Sequence, residues 1–105
     1  MTLSADAYLG PGRADLLEGI GETGSIAEAA KRMGMSYKRA WSLVQALNDG
    51  FGRPLIETSR GGPGQGGASL TKAGAEVLRR YRTMEETTRT AIEADVVALV
   101  ALLGK

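Results

Sequence analysis

The residues best equipped for chemistry are polar side chains that follow Ser36 at helical spacing. They fall on the face opposite an apolar stripe made of Ala40, Leu43, Val44 and Leu47. A phenol, an ammonium and an amide on one exposed face can donate to guanine O6/N7, pair with adenine or reach a phosphate. This pattern predicts a helix that contacts a DNA groove through Tyr37, Lys38, Trp41, Ser42 and Gln45.

Lys38 and the neighbouring Arg39 are the strongest candidates for contacts with DNA, and the alternative for both is an ordinary solvated helix face. Trp41 can stack on a sugar or a thymine methyl, but a lone Trp beside a core stripe is more often a half-buried packing residue. Ser25 and Ser36 occupy N-cap positions. Because a helix N-terminus presents free amides, we expect either serine to meet a phosphate as well.

A glycine-rich segment between residues 50 and 67 supplies further candidates. We expect this segment to form a β-hairpin wing. Arg53 and Arg60 flank the wing and Gln65 lies within it, so all three are placed to follow the DNA backbone or enter the minor groove. Plain solvation is the alternative for Gln65. The Gly61–Gly67 loop lacks the Lys-Ser or Lys-Thr that a phosphate-binding P-loop requires, so no nucleotide site is predicted.

Histidine and cysteine are absent from all 105 residues. Imidazole and thiolate metal sites, disulfides and Cys- or His-based catalysis are thereby excluded. The carboxylates near the C-terminal end are typical of a solvated helix face rather than of a catalytic or metal-binding pair; they are Glu85, Glu86, Glu93 and Asp95. We therefore expect no enzyme activity, no metal and no cofactor.

Charge is segregated along the chain although the formal net charge is only +1. Residues 31–82 carry ten Lys or Arg against three acids, whereas the other 53 residues carry three basic and nine acidic groups. A positive centre between acidic ends favours a polyanionic partner. A mixed, solvated surface is the alternative.

Helical periodicity of the apolar residues predicts three helices, at about 13–22, at 26–33 and from Ser36 to about 49–50. Short strands at 55–58 and 68–70 and a long helix capped by Thr71 follow. We expect Thr87–Thr90 to kink or fray that helix. A chain of this length holds one core. The order of the predicted elements is typical of a mainly α winged helix-turn-helix: three helices, a β-hairpin wing and a long C-terminal helix. Residues 1–82 form the DNA-binding domain and 83–105 continue the last helix.

The last helix carries an apolar seam of Ile92, Val96, Leu99 and Leu103, spaced by four, three and four. A second copy of the chain is the preferred partner for this seam, because paired DNA half-sites also favour a two-fold dimer. The alternative is packing against the first helix together with Leu3, Tyr8 and Leu9. The sequence thus predicts a homodimer.

Three segments together resemble a known family. They are the stretch from Gly24 to Ser36-Tyr-Lys-Arg-Ala-Trp41, Arg53-Pro-Leu-Ile56 with the glycine-rich wing, and Leu70-Thr-Lys-Ala-Gly74. Over about residues 13–82, the chain resembles the N-terminal DNA-binding domain of the molybdate-dependent regulator (ModE) family. More distantly, it resembles LysR-type regulators. The resemblance implies a dimeric regulator that binds operator DNA, with Ser36, Tyr37, Lys38, Arg39 and Ser42 in the recognition role and Ser25 on the backbone.

Family members that sense molybdate carry a further C-terminal oxyanion-binding domain, and this chain ends at Lys105. The resemblance therefore implies no molybdate site in this chain, which is either a stand-alone member or part of a longer protein. The alternative function is a winged-helix module whose basic face binds an acidic protein. No signal peptide is evident and the longest apolar run, 96–103, is too short to cross a bilayer, so a cytoplasmic location without membrane contact is expected.

Overall fold

The computed structural model describes residues 1–59 and 67–104. Its elements are α1 (Pro11–Thr23), α2 (Ile26–Met33), α3 (Tyr37–Phe51), β1 (Ile56–Ser59), β2 (Gly67–Leu70) and α4 (Lys72–Ala101). The predicted order of three helices, a hairpin and a long helix is confirmed. No helix in the described ranges has both the length and the apolar character needed to span a bilayer.

A sharp turn at Gly24 joins α1 to α2. Gly24 has a left-handed backbone (φ 72°), which glycine adopts without a steric penalty. Ser25 caps α2 as predicted, because its hydroxyl accepts a hydrogen bond from the Glu28 amide at 3.1 Å. The Ser25 amide donates to Thr23 Oγ1 at 3.2 Å.

The α2–α3 turn completes the helix-turn-helix. Gly34 ends α2 in the left-handed conformation, and Ser36 caps α3 by accepting from the Arg39 amide at 3.0 Å. The small side chain of Ala29 on α2 lets α1 approach closely at Gly19, where an added Cβ would lie 3.0 Å from that of Ala29.

The core lies between α1, α2 and α3 and is closed by the hairpin and the first half of α4. Its largest fully buried side chains come from α1, α3 and the segment before β1: Leu16, Leu17, Ile20, Val44, Leu47 and Leu55. Burying aliphatic side chains of this size stabilises the fold by about 1.5–3 kcal/mol each. The core therefore fixes how α3 is presented.

The wing consists of β1, β2 and the residues between them. The strands pair antiparallel, from Ile56 opposite Leu70 to Ser59 opposite Gly67. Each strand lies within one residue of its predicted position. Arg60 and Gln65, two predicted DNA contacts, fall outside the described residues.

A single unbroken helix, α4, extends for 30 residues from its Thr71 cap. The expected kink at Thr87–Thr90 is wrong, since helical hydrogen bonding continues through these threonines. The helix ends at Ala101, so Leu103 lies in the turn beyond it and donates its amide to the Val100 carbonyl at 3.1 Å.

Arg82 joins α4 to α1. Its guanidinium contacts Asp15 at 2.8 Å and Glu18 at 2.9 Å on α1, and Glu85 on its own helix at 3.0 Å. These hydrogen bonds, with that to Asp15 foremost, raise the pKa of Arg82 above its usual range. Since α1 begins at Pro11, Asp15 and Glu18 lie beyond its first turn and bind Arg82.

Candidate nucleic-acid interface

The exposed face of α3 divides into three strips, because successive residues of an α-helix are turned by 100°. Lys38, Ser42 and Gln45 share the middle strip and are all exposed. We call these three residues the recognition face. Its groups are an ammonium, a hydroxyl and an amide, which can donate to or accept from base edges in a major groove.

Tyr37 and Trp41 form the strip that faces the wing. Their rings meet edge to face, with centroids 6.3 Å apart and planes at 79°. Tyr37 is 53% exposed, whereas Trp41 is half-buried and packs against the edge of the core. The half-buried packing position that the sequence favours for Trp41 is thus the one that the structure shows.

The strip is one wall of a cavity of about 310 Å³, here named the wing cleft. The other walls are the N-terminus of α2 at Ser25, Ile26 and Ala27 and the wing at Thr58, Ser59, Gly67 and Ala68. The amides of Ile26 and Ala27 belong to the first turn of α2 and so have no partner within the helix. Free amides and the positive end of a helix suit this cleft to a phosphate.

Arg39 lies on the opposite strip of α3, away from the wing. It lines a second cavity, of about 300 Å³, together with residues from the N-terminal segment and from α1. Arg39 and Lys38 therefore lie on different strips of α3, because the two side chains leave the helix 100° apart.

Ion pairing separates the cationic groups into two sets. Within the described residues five arginines are paired with carboxylates: Arg32, Arg79, Arg80, Arg82 and Arg89. No described ion pair involves Lys38, Arg39 or Arg53, all of which are exposed. The arginines of α4 within residues 31–82 are thus paired with carboxylates, whereas the cations at α3 and Arg53 are outside the described ion pairs.

The Glu76 carboxylate illustrates the paired set. It accepts hydrogen bonds from Arg80 at 2.6 Å and from Arg79, and these bonds lower its pKa. The arginines of this part of α4 are therefore engaged within the chain. A count of charged residues along the sequence cannot separate these paired arginines from the cations of residues 31–82 that lie outside the described ion pairs.

Asn48 positions the wing, and sequence reasoning missed it. Its Oδ1 accepts from the amides of Leu55 at 2.8 Å and Ile56 at 3.1 Å, and its Nδ2 donates to the Ile56 carbonyl at 3.2 Å. Thr71 adds a hydrogen bond from its hydroxyl to the Pro54 carbonyl at 2.7 Å. The only sequence signal was a polar residue beside the α3 core stripe.

The wing is tied to the α1–α2 turn at its other end, where the Ala68 amide donates to the Gly24 carbonyl at 2.9 Å. Ser25, the predicted phosphate contact, follows Gly24 directly and is half-buried. Arg53 is exposed after Gly52, which ends α3 with φ 67°. The structure therefore brings Ser25 together with Tyr37, Trp41 and the wing strands around the wing cleft.

A protruding helix between the N-terminus of a preceding helix and a β-hairpin defines a winged helix-turn-helix domain of the DNA-binding class. Residues 13–75 match the model of the bacterial regulatory helix-turn-helix proteins of the lysR family. The chain belongs to that family.

Curated relatives agree with this assignment. The chain is 44% identical over 79 residues to the molybdenum-pterin-binding protein MopB of Rhodobacter capsulatus, covering 75% of this chain and 29% of that protein. It is 40% identical over 80 residues to the transcriptional regulator ModE of Haemophilus influenzae, covering 76% and 31%. Against the DNA-binding transcriptional dual regulator ModE of Escherichia coli K12 it is 33% identical over 108 residues, covering 99% and 41%. The chain thus spans about two fifths or less of these relatives.

Solved structures show the same architecture. The crystal structure of the CbnR DBD–DNA complex superposes with a TM-score of 0.62 at 29% identity, covering 82% of this chain and 94% of that one. The full-length regulator LysG of Corynebacterium glutamicum gives a TM-score of 0.62 at 26% identity, covering 91% and 31%. The predicted winged helix-turn-helix fold and the predicted resemblance to ModE and LysR-type regulators are confirmed.

Proposed function

We propose that this chain is a ModE-type transcription regulator that binds double-stranded DNA as a homodimer. The observation that carries the proposal is the charge arrangement around α3: Lys38, Arg39 and Arg53 are exposed and outside every described ion pair. Cations left free at one surface are the groups that neutralise DNA phosphates. No enzymatic or molybdate-binding role is assigned to residues 1–105.

The recognition face enters the major groove in this proposal. Lys38 donates to guanine O6/N7, Gln45 pairs with adenine and Ser42 contacts either kind of base edge. Tyr37 lies beside them at the start of α3 and reaches the backbone. One edge of Trp41 is close enough to this strip to contact a sugar or a thymine methyl.

Contacts to the DNA backbone fix the register of the domain. Ser25 and Ser36 sit at helix N-termini, and Ser25 borders the wing cleft, where a phosphate would meet the free amides of α2. Arg53 lies at the start of the wing. In the same proposal Arg60 and Gln65, outside the described residues, follow the backbone or the minor groove.

Dimerisation is proposed through α4. One face of this helix is buried at Gly74 and Tyr81, where it packs on its own domain. Ile92 follows Tyr81 by eleven residues and Leu99 follows Ile92 by seven. Both steps nearly complete whole helical turns, so Ile92 and Leu99 lie on the same face of α4 as Tyr81. Ile92 and Val96 are 45% exposed and Leu99 is 64% exposed, so the packing face continues without a cover.

A second copy of the chain covers this face in the proposal. The described residues measure 59 Å along their longest axis and only 30 and 21 Å across, since α4 projects beyond the compact body. The alternative of packing on α1, Leu3, Tyr8 and Leu9 is not observed, because Ile92, Val96 and Leu99 are exposed. Residues 1–82 then form the DNA-binding domain and residues 83–105 the dimer helix.

The proposed function is tested by incubating the full chain with a pool of random duplexes and sequencing the bound fraction. We expect an enriched palindromic site, bound with an affinity that falls with salt at a logarithmic slope of about −5 to −7 if roughly six to eight phosphates are contacted. An unenriched pool and a slope near zero contradict DNA binding and favour the protein-interaction alternative.

A further inference from the structure

The N-terminal segment folds back onto the end of α3 and fixes the position of Tyr8. Thr2 pairs with Tyr8 in an antiparallel bridge, and the Leu9 amide donates to the Met1 carbonyl at 2.9 Å. At Gly50 of α3 an added Cβ would lie 2.5 Å from the Asp6 carbonyl oxygen. Tyr8 is thereby placed at the start of α1.

Tyr8 holds Arg13 from two sides. The guanidinium carbon of Arg13 lies 5.3 Å from the centroid of the Tyr8 ring, and its Nη1 donates to the Tyr8 carbonyl at 3.0 Å. Stacking and a backbone hydrogen bond together restrict a side chain that otherwise has many rotamers. The remaining guanidinium N–H groups stay available for another acceptor.

Arg13 and Arg39 line the same cavity of about 300 Å³, here named the arginine cleft. The other lining residues are Tyr8, Gly10, Pro11, Gly12, Met35 and Leu43. The lining includes no carboxylate, and neither arginine takes part in an ion pair within the described residues. Two guanidinium groups thus border one cleft without a neutralising partner.

We infer that Arg13 and Arg39 together bind one backbone phosphate of DNA, on the strand opposite the one that meets the wing. The inference rests on the proposed function and adds Arg13 to the interface. It follows from the position of the arginine cleft, which flanks the recognition face on the side away from the wing cleft. A helix in the major groove has a sugar–phosphate backbone on each side.

Phosphate is the ligand that this pair of side chains suits. A guanidinium presents planar, paired N–H donors that match two oxygens of a phosphate. Two such groups, one restrained by Tyr8 and one at the start of α3, fix the helix between the two strands. Tyr8 is then a positioning residue, since it acts through Arg13.

The test compares the 105-residue wild-type chain with Arg13→Gln, Arg39→Gln and the double variant on the enriched duplex. Each lost phosphate contact reduces the magnitude of the salt slope by about 0.9, or about 1.8 for a dimer. Between 50 and 200 mM salt, the affinity of Arg13→Gln should therefore fall about 12-fold less than that of the wild type. Arg79→Gln, whose guanidinium is already paired with Glu76, is the matched control and should keep the wild-type slope.

Ethylation interference supplies a readout that a structural role does not change. We expect one phosphate per half-site to lose its interference in Arg13→Gln and the same phosphate to lose it in Arg39→Gln. The double variant should lose that phosphate and no other. Tyr8→Ala should weaken the same interference signal, whereas Tyr8→Phe, which keeps the ring, should retain it.

Loss of different phosphates in the two single variants, or unchanged slope and interference in both, overturns the inference. If Arg13→Gln does not give the wild-type circular dichroism spectrum, Arg13→Lys replaces it in the test, because lysine keeps the charge but lacks the planar pair of donors. Arg39→Gln then tests the same phosphate independently. If the wild type binds duplex DNA and the variants bind with the same slope and interference pattern, only the phosphate site at the arginine cleft is refuted. Wild-type protein without salt-dependent binding refutes the proposed function itself.

Discussion

Asn48 and Ile56 exchange two hydrogen bonds: the Ile56 amide donates to Asn48 Oδ1 at 3.1 Å, and Asn48 Nδ2 donates to the Ile56 carbonyl at 3.2 Å. The same Oδ1 accepts from Leu55, so one amide side chain on α3 fixes the first residues of the wing. The recognition face and the wing therefore keep a set distance from each other.

Replacing Asn48 with Ala should lower the free energy of unfolding by about 1–3 kcal/mol, because part-buried backbone groups of Leu55 and Ile56 lose their partner. Chemical denaturation of the full chain measures the change. Gln45→Ala, on the same helix but exposed, is the control and should stay within about 0.5 kcal/mol. Equal stability of the two variants would show that Asn48 does not hold the wing.

Gly74→Ala should destabilise the fold by about 2 kcal/mol or more. A Cβ at this position would lie 2.1 Å from the Leu55 carbonyl oxygen, so α4 or the base of the wing must move. Gly12→Ala is the matched control, since a Cβ there meets nothing within 4 Å and should stabilise by up to about 1 kcal/mol. Thermal unfolding of both variants checks the opposite signs, and a Gly74→Ala protein as stable as wild type contradicts the close contact.

Lys38→Ala and Arg53→Ala should weaken DNA binding in different ways. Loss of a base contact at Lys38 costs about 1–3 kcal/mol and relaxes the preference at one base pair, whereas loss of a phosphate contact at Arg53 weakens all sequences alike. Sequencing the duplexes bound by each variant separates the two effects. An unchanged base preference in Lys38→Ala argues against α3 as the reading helix.

Val96→Glu combined with Leu99→Glu should yield monomers with much weaker DNA binding, since the substitutions put charges on the exposed apolar face of α4. The core of residues 13–82 lies elsewhere, so its circular dichroism spectrum should persist. Sedimentation equilibrium at micromolar concentration measures the association. A monomeric wild type, or a double variant that still dimerises, contradicts the interface.

Tyr81→Phe should make stability less sensitive to alkaline pH. Burial, reinforced by Glu85, raises the pKa of the Tyr81 phenol above its ordinary value of 10.0. The unfolded chain therefore loses this proton first, so the wild-type free energy of unfolding falls as pH rises above about 10. Denaturation between pH 8 and 11 should show a smaller fall in Tyr81→Phe, whereas the exposed Tyr37→Phe keeps the wild-type fall.

The architecture was predictable because its determinants are local. Ser25, Ser36 and Thr71 begin helices through their own side chains, and Gly24 and Gly34 end them in a conformation that favours glycine. Each of these signals acts within about four residues. Element order and approximate bounds therefore followed from the sequence.

Contacts between distant residues were not predictable in the same way. Arg82 bonds to Asp15 across 67 positions, and Arg13 is held by Tyr8, whose own position depends on a bridge to Thr2. Helical periodicity placed Lys38 and Gln45 outward correctly, and the position of Trp41 beside the apolar stripe correctly favoured half-burial. The surroundings of side chains such as Arg13 and Arg82 are set by tertiary packing between segments that are distant in the sequence.

The contacts of Arg82 between α1 and α4 bear on how half-site spacing and base preference change among regulators of this fold. Three carboxylates fix the direction in which α4 leaves the domain, and none of them belongs to α2, α3 or the wing. In a dimer joined through α4, the spacing between half-sites is then inherited from the α1–α4 junction, while the bases preferred within each half-site are inherited from α3. A chimera that exchanges Lys38, Ser42 and Gln45 but keeps Asn48, which supports the base of the wing, should acquire new base preferences at an unchanged spacing.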